Sequence, residues 1–343
     1  MVCVVTDRRL PPQGGLPPIV RIGSPVVEIA CDESGFSGTN MLDAPTPLFT
    51  HASVDLGIDE AAELIRALRS GFRWSLKEFK SGPFLRGPQA GEALEWLLTA
   101  LSGRAHVYLV DKEYFLVTRI VDLFVVEPSY AAGTRLTQEH RPAALALYRA
   151  GRAAGRDWSV FLAAFVDLVR TKRRREPEAV VVERFLQARD VLARAGLGPE
   201  VECVLDGLSR TRVLAILTRL AHDDQSIPPP LEPMLPALAE TVLFWSRGQQ
   251  RQVLVIHDEQ SALTAGRLTR LQQVLTASTD SPSTDSPSRV SPLAGLVAVD
   301  SRDDARVQVA DLLAGVARRS PDIDADGPLR PFLSKTSLRD TQR

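Results

Sequence analysis

Three short apolar runs in this chain each stop on an aspartate: VVEIACD (26–32), AHVYLVD (105–111) and RQVLVIHDE (251–259), the last at Asp258. Continuous β-branched and apolar residues of this length predict strands buried on both faces, because a strand with one wet face would alternate. A fourth run, LFTHASVDL (48–56), does alternate and predicts a half-exposed antiparallel strand; GLVAVDS (295–301) is a weaker fifth. Helical periodicity fills the gaps, in GEALEWLLTAL (91–101), RPAALALYRAGRAA (141–154), WSVFLAAFVDLVRTKRRR (158–175), EAVVVERFLQARDVLARAG (178–196), RTRVLAILTRLAHD (210–223), ALTAGRLTRLQQVLT (262–276) and DDARVQVADLLAGVARR (303–319). Strands alternating with helices constrain the chain to an α/β fold with a mixed sheet.

The stretch from about 113 to 250 is almost wholly helical, with VECVLDGL (201–208) as a possible exception. Core strands lie on both sides of it, so it reads as a helical insertion rather than a separate domain. Residues 1–24, with Pro-Pro twice and Gly-Gly, and the polar run 321–343 are expected to be poorly ordered. A tandem TDSPS (Thr279–Ser288) marks a low-complexity surface loop over about 277–292.

Composition excludes more than it indicates. Lys plus Arg (41) nearly balance Asp plus Glu (42), so a basic surface for nucleic acid would have to be local. The three cysteines are isolated, which argues against a disulfide framework or a cysteine zinc site and suits a reducing cytoplasm. No segment reaches the ~20 apolar residues of a membrane span, and the N-terminus has no signal-peptide core. The five histidines form no zinc-protease spacing, and no Walker A or GxGxxG loop occurs.

The strand-end acids therefore carry the functional reading. In open α/β sheets, chemistry collects beyond the carboxyl ends of strands, and acids meeting there raise one another's pKa unless a cation neutralises them. Mg²⁺ or Mn²⁺ suits such oxygen ligands. Asp311 interrupts the apolar helix face of Val307, Ala310, Leu313 and Ala314, and a charge there needs a partner. Glu78, in SLKEFKSG, adds a further acid. Each also has a plainer role: Asp111, followed directly by Lys112, suits a turn or helix N-cap, Asp311 could pair with Arg306 or Arg318, and Glu78 could pair with Lys77 or Lys80. Alternation along an extended backbone turns Glu33 away from Asp32, and His257 away from Asp258. The basic run Lys172, Arg173, Arg174, Arg175 could grip phosphates or simply complement a helix end.

DESG after the first strand (Asp32–Gly35), E-x-K at Glu78–Lys80, HDE at 257–259 and VQVADLLAG at 307–315 together resemble the bacterial family known as domain of unknown function 3800, over roughly residues 25–320. The resemblance implies a ribonuclease H-like fold with Asp32, Glu78 and Asp311 as metal-holding acids, plus an acid on a fourth strand beside the first. Asp111 fills that place if AHVYLVD is that strand; Asp258 is the other candidate. Lys80 and Gln308 would orient carboxylates or a phosphate. The implied activity is two-metal hydrolysis of nucleic-acid phosphodiesters with Mg²⁺ or Mn²⁺; the alternative is a non-catalytic nucleic-acid or protein binding module on the same fold.

Overall fold

The computed structural model describes residues 15–20, 24–36, 38–42, 45–72, 80–135, 140–171, 178–248, 250–277, 290–320 and 327–340. Among the described residues five strands, β1 (Val26–Ser34), β2 (Leu48–Val54), β3 (Ala105–Asp111), β4 (Gln252–Asp258) and β5 (Leu293–Val299), form one open sheet in the order β3-β2-β1-β4-β5. β2 is antiparallel to both neighbours, while β4 is parallel to β1 and to β5. The sheet is thus mixed, and the carboxyl ends of β1, β3, β4 and β5 all lie along one edge.

Helices α1 (Ile58–Gly71), α2 (Ser81–Arg86) and α3 (Ala90–Ala100) connect β2 to β3. Among the described residues eight helices separate β3 from β4: α4 (Lys112–Phe124), α5 (Tyr130–Arg135), α6 (Arg141–Ala153), α7 (Arg156–Val169), α8 (Glu178–Ala193), α9 (Pro199–Gly207), α10 (Arg210–Ala221) and α11 (Met234–Ser246). VECVLDGL belongs to α9 and is no exception to the helical stretch. Helix α12 (Ala265–Ala277) joins β4 to β5, and α13 (Ala305–Arg319) follows β5.

Strand alternation divides the core in two. One face, through Ala30, Ala52, Val107 and Ile256, packs on α1, α3 and α13. The other, through Ile29, Phe49, Tyr108 and Val255, packs on the helical insertion, where Phe124, Phe161, Phe165 and Phe185 interlock. Helix α13 runs along β1 and is held at both ends. Asp304 caps its first turn and pairs with Arg306, whose other nitrogen reaches Glu28 Oε2 at 3.0 Å; Arg318 Nε donates to Ser34 Oγ at 2.9 Å.

Three expectations change here. β2 is buried along almost its whole length rather than half exposed, because Thr50, His51 and Ser53 find buried partners. Both terminal segments are partly folded: Leu16 pairs with Leu296 beside β5, while Leu333 and Leu338 bridge to Val107 and Val110 beside β3. Each covers one edge of the sheet, where unpaired backbone would otherwise be open to another chain. Finally, AHVYLVD is the edge strand β3, two places from β1. The TDSPS repeat lies outside the described residues, and among the described residues no helix is long and apolar enough to cross a membrane.

Candidate functional site

Parallel pairing of Cys31 with His257 carries the next residues, Asp32 and Asp258, to the ends of adjacent strands on the face that α13 covers. Thr50 Oγ1 donates to the Ala314 carbonyl at 2.7 Å, which ties the middle of α13 to the same strand ends. Asp311, one turn before Ala314, completes the group. Asp32 is 5% exposed, and its pKa is pushed up to about 10, first by burial and then by the negative charges of Glu33, Asp311 and Asp258. A bond from the Glu33 amide to Asp32 Oδ1, 2.7 Å, offsets only part of this.

The other two acids have partners. Asp258 Oδ1 accepts from the Ser301 amide at 2.9 Å, and Asp311 Oδ2 accepts from Lys80 Nζ at 3.0 Å. Among the described residues Asp311 thus pairs with a lysine from the segment before α2, while Arg306 holds Asp304 and Glu28 and Arg318 bonds Ser34. Gln308 Nε2 donates to the Arg302 carbonyl at 3.4 Å, so it braces the loop after β5 rather than a carboxylate. Glu78 and the run Lys172, Arg173, Arg174, Arg175 lie outside the described residues.

Asp111 stands apart. It is the N-cap of α4, its Oδ1 accepting from the Tyr114 amide at 3.0 Å, and its Oδ2 accepts from Tyr148 Oη at 2.8 Å. Both oxygens are committed to folding the chain from β3 into the insertion. The acid on the strand beside β1 is Asp258, whereas Asp111 ends the edge strand two places away.

On the opposite face at the same sheet end lies a second polar cluster that the sequence motifs did not single out. His51 and His257 are fully buried, with their Nε2 atoms 3.2 Å apart. His257 Nδ1 donates to the Asp258 carbonyl at 2.8 Å, and His51 Nδ1 meets Thr241 Oγ1 of α11 at 2.9 Å. Burial, followed by the neighbouring imidazoles of His257 and His106, holds the His51 pKa well below its ordinary value. Glu33 Oε1 accepts from Gln260, while its Oε2 is buried 3.9 Å from His257 Nε2 without a hydrogen bond. Glu33 and His257 thus turn away from Asp32 and Asp258, as alternation predicts. The signal for this cluster was the same parity, applied to His51 on the neighbouring strand.

Among the described residues no three His, Cys, Asp or Glu side chains converge closely enough to hold a metal ion. The donor chemistry nevertheless fits a hard cation: a buried carboxyl, two further carboxylates on the same face, and Lys80 as the described cation paired with one of them. Comparison with known protein families, with curated proteins and with solved structures returns no match.

Proposed function

We propose that the chain is a metal-dependent nuclease of the ribonuclease H-like kind, related to the family known as domain of unknown function 3800. The observation that carries this reading is the buried Asp32 carboxyl, driven up to about 10 by burial and by Glu33, Asp311 and Asp258. Acids crowded this way cost stability unless they serve a cation or a proton transfer. The strand order supports the fold assignment, since the fourth strand lies beside the first and ends on Asp258.

Asp32, Asp258 and Asp311 would hold Mg²⁺ or Mn²⁺, joined by Glu78. Such an ion supplies a polarised phosphoryl oxygen and an activated water at neutral pH. The residues themselves orient the reacting groups: Ser301 fixes the Asp258 carboxylate, α13 carries Asp311 against β1, and Lys80 holds Asp311 until a competing cation or phosphate draws it off. The test is digestion of labelled single-stranded DNA, duplex DNA, RNA and an RNA–DNA hybrid with Mg²⁺ or Mn²⁺, by wild type and Asp311→Asn. Metal-dependent cleavage by wild type alone is expected; equal cleavage by both proteins rejects the assignment.

The second reading, a non-catalytic nucleic-acid or protein binding module, draws on one observation. Lys80 already neutralises Asp311 and no metal-holding trio converges among the described residues. Binding of nucleic acid that is steep in salt and indifferent to metal would favour it.

A further inference from the structure

We infer that Arg318, held by Ser34, Arg319, held by Ser81, and the neighbouring Arg86 form a phosphate-binding subsite beside the carboxylates that holds a phosphodiester of a nucleic-acid strand. The choice of a nucleic-acid strand as ligand rests on the nuclease reading; the anion site itself does not.

Two helices and a strand build it. Arg318 Nε donates to Ser34 Oγ at 2.9 Å, and Ser34 stands two residues beyond Asp32 on the same face of β1, roughly 7 Å along the strand. Arg319 Nη1 donates to Ser81 Oγ at the start of α2 and to the Gly315 carbonyl at 3.2 Å. Arg86, at the end of α2, reaches the same place: a methyl built on Gly82 would lie 3.6 Å from Arg86 Nη1 and 4.0 Å from Arg319 Nη2.

Glycines make the room. Gly35 has φ +87°, and a Cβ there would sit 2.6 Å from Arg318 Cδ and 2.3 Å from the Leu48 carbonyl oxygen. A Cβ on Gly315 would sit 2.0 Å from Ser81 Oγ. The DESG and ADLLAG segments therefore meet through these arginines and serines as well as through their aspartates.

Charge marks the cluster as a receptor. Among the described residues none of the three guanidiniums makes an ion pair with a carboxylate, whereas Arg306 holds Asp304 and Glu28, and Arg219 holds Glu127 and Asp224. Burial and the adjacent Arg319 lower the Arg318 pKa, as expected for cations brought together without an anion. Arg86 and Arg319 are exposed and Arg318 is half-buried, so a ligand has access. Each arginine also offsets the carbonyl dipole at the end of its own helix. That accounts for a cation at each end, not for Ser34 of β1 and Ser81 at the start of α2 each holding a guanidinium from the end of α13. Guanidinium forks match phosphate oxygens, and beside a carboxylate cluster they would seat the phosphate next to the one attacked.

The test uses the full chain in EDTA, with fluorescein-labelled single-stranded DNA and RNA 12-mers as probes and anisotropy read across a salt series. Wild type, Arg318→Gln/Arg319→Gln, Arg318→Lys and the control Arg210→Gln are compared, with thermal melting to confirm folding. The double variant is expected to bind at least tenfold more weakly, and its salt slope to fall by about 0.7 for each phosphate it no longer neutralises. Arg318→Lys should keep the wild-type slope, which a merely structural arginine would not predict, and Arg210→Gln should match wild type. Equal affinity and slope in wild type and the double variant overturn the subsite even where Asp311→Asn abolishes cleavage. Inorganic phosphate bound by wild type, lost in the double variant, with neither oligonucleotide bound, supports the anion site and rejects the nucleic-acid ligand. Binding of none of these probes overturns both.

Discussion

Neighbouring residues at one end of the sheet have opposite fates. On the α13 face, Asp32, Asp258 and Asp311 crowd together and drive Asp32 far from its ordinary ionisation. On the insertion face, one residue away along each strand, His257 and His51 share a hydrogen-bonded path from Thr241 to the Asp258 carbonyl. On the insertion face the two imidazoles are bonded and Glu33 Oε2 lacks a hydrogen bond, whereas on the α13 face Asp258 and Asp311 have partners but Asp32 stays buried among like charges. A carboxyl held this far from its ordinary ionisation at a rigid strand end is the reason for reading the α13 face as the candidate site.

The largest expected difference is catalytic. Asp258→Asn should lower metal-dependent nucleic-acid cleavage by at least about 100-fold, more than loss of an outer partner usually costs. Glu33→Gln, adjacent to Asp32 but on the other face, should stay within about tenfold of wild type. Comparable losses in both variants would erase the distinction between the faces.

Stability should separate them next. In the unfolded chain Asp32 ionises near 3.8, and in the folded protein near 10. Between those values the folded state holds the extra proton, so this group makes stability fall as pH rises. Without metal, Asp32→Asn should therefore melt a few degrees above wild type at pH 8 and lose that advantage below about pH 4. Melting curves in EDTA across pH check this; a variant less stable than wild type at pH 8 would contradict it.

The insertion face should respond to pH in the opposite sense. Burial lowers the His106 pKa to about 4, and His51 also stays well below its ordinary 6.5. The unfolded chain takes up these protons first, so stability should be lost as pH falls through this window. Replacing His106 with Gln should flatten the loss by up to the order of 3 kcal/mol at pH 4, read from urea midpoints. An unchanged acid slope would mean that His106 does not titrate as its burial requires.

The smallest effect concerns Asp111. As the α4 cap it should tolerate Asn, which caps equally well, whereas Ala should cost about 1 kcal/mol. Cleavage should persist in both variants. Loss of cleavage in Asp111→Asn with stability intact would return Asp111 to the site.

Much of this was legible in the residues. The bounds of β3 match the apolar run AHVYLVD, and Asp32, Asp258 and Asp311 stand out because each breaks an apolar pattern. Strand order was not legible: period and propensity identify a strand but not its neighbour, which is why Asp111 and Asp258 stayed interchangeable until β4 proved to lie beside β1. Thr50, His51 and Ser53 looked half exposed because their partners, Ala314, His257 and Trp245, are far away in sequence. The edge-covering segments rest on single buried residues such as Leu16 and Leu338 within Pro-rich or polar stretches. The arginine cluster had a weaker signal, since Arg318 lies seven residues after Asp311 and so shares its helix face.

The most direct test is calorimetric titration of Mn²⁺ into wild type, Asp32→Asn and Glu33→Gln. Binding by wild type and Glu33→Gln that disappears in Asp32→Asn is the predicted result. No binding by wild type, or equal binding by all three, would mean that the crowded acids are not the metal centre and would contradict the account.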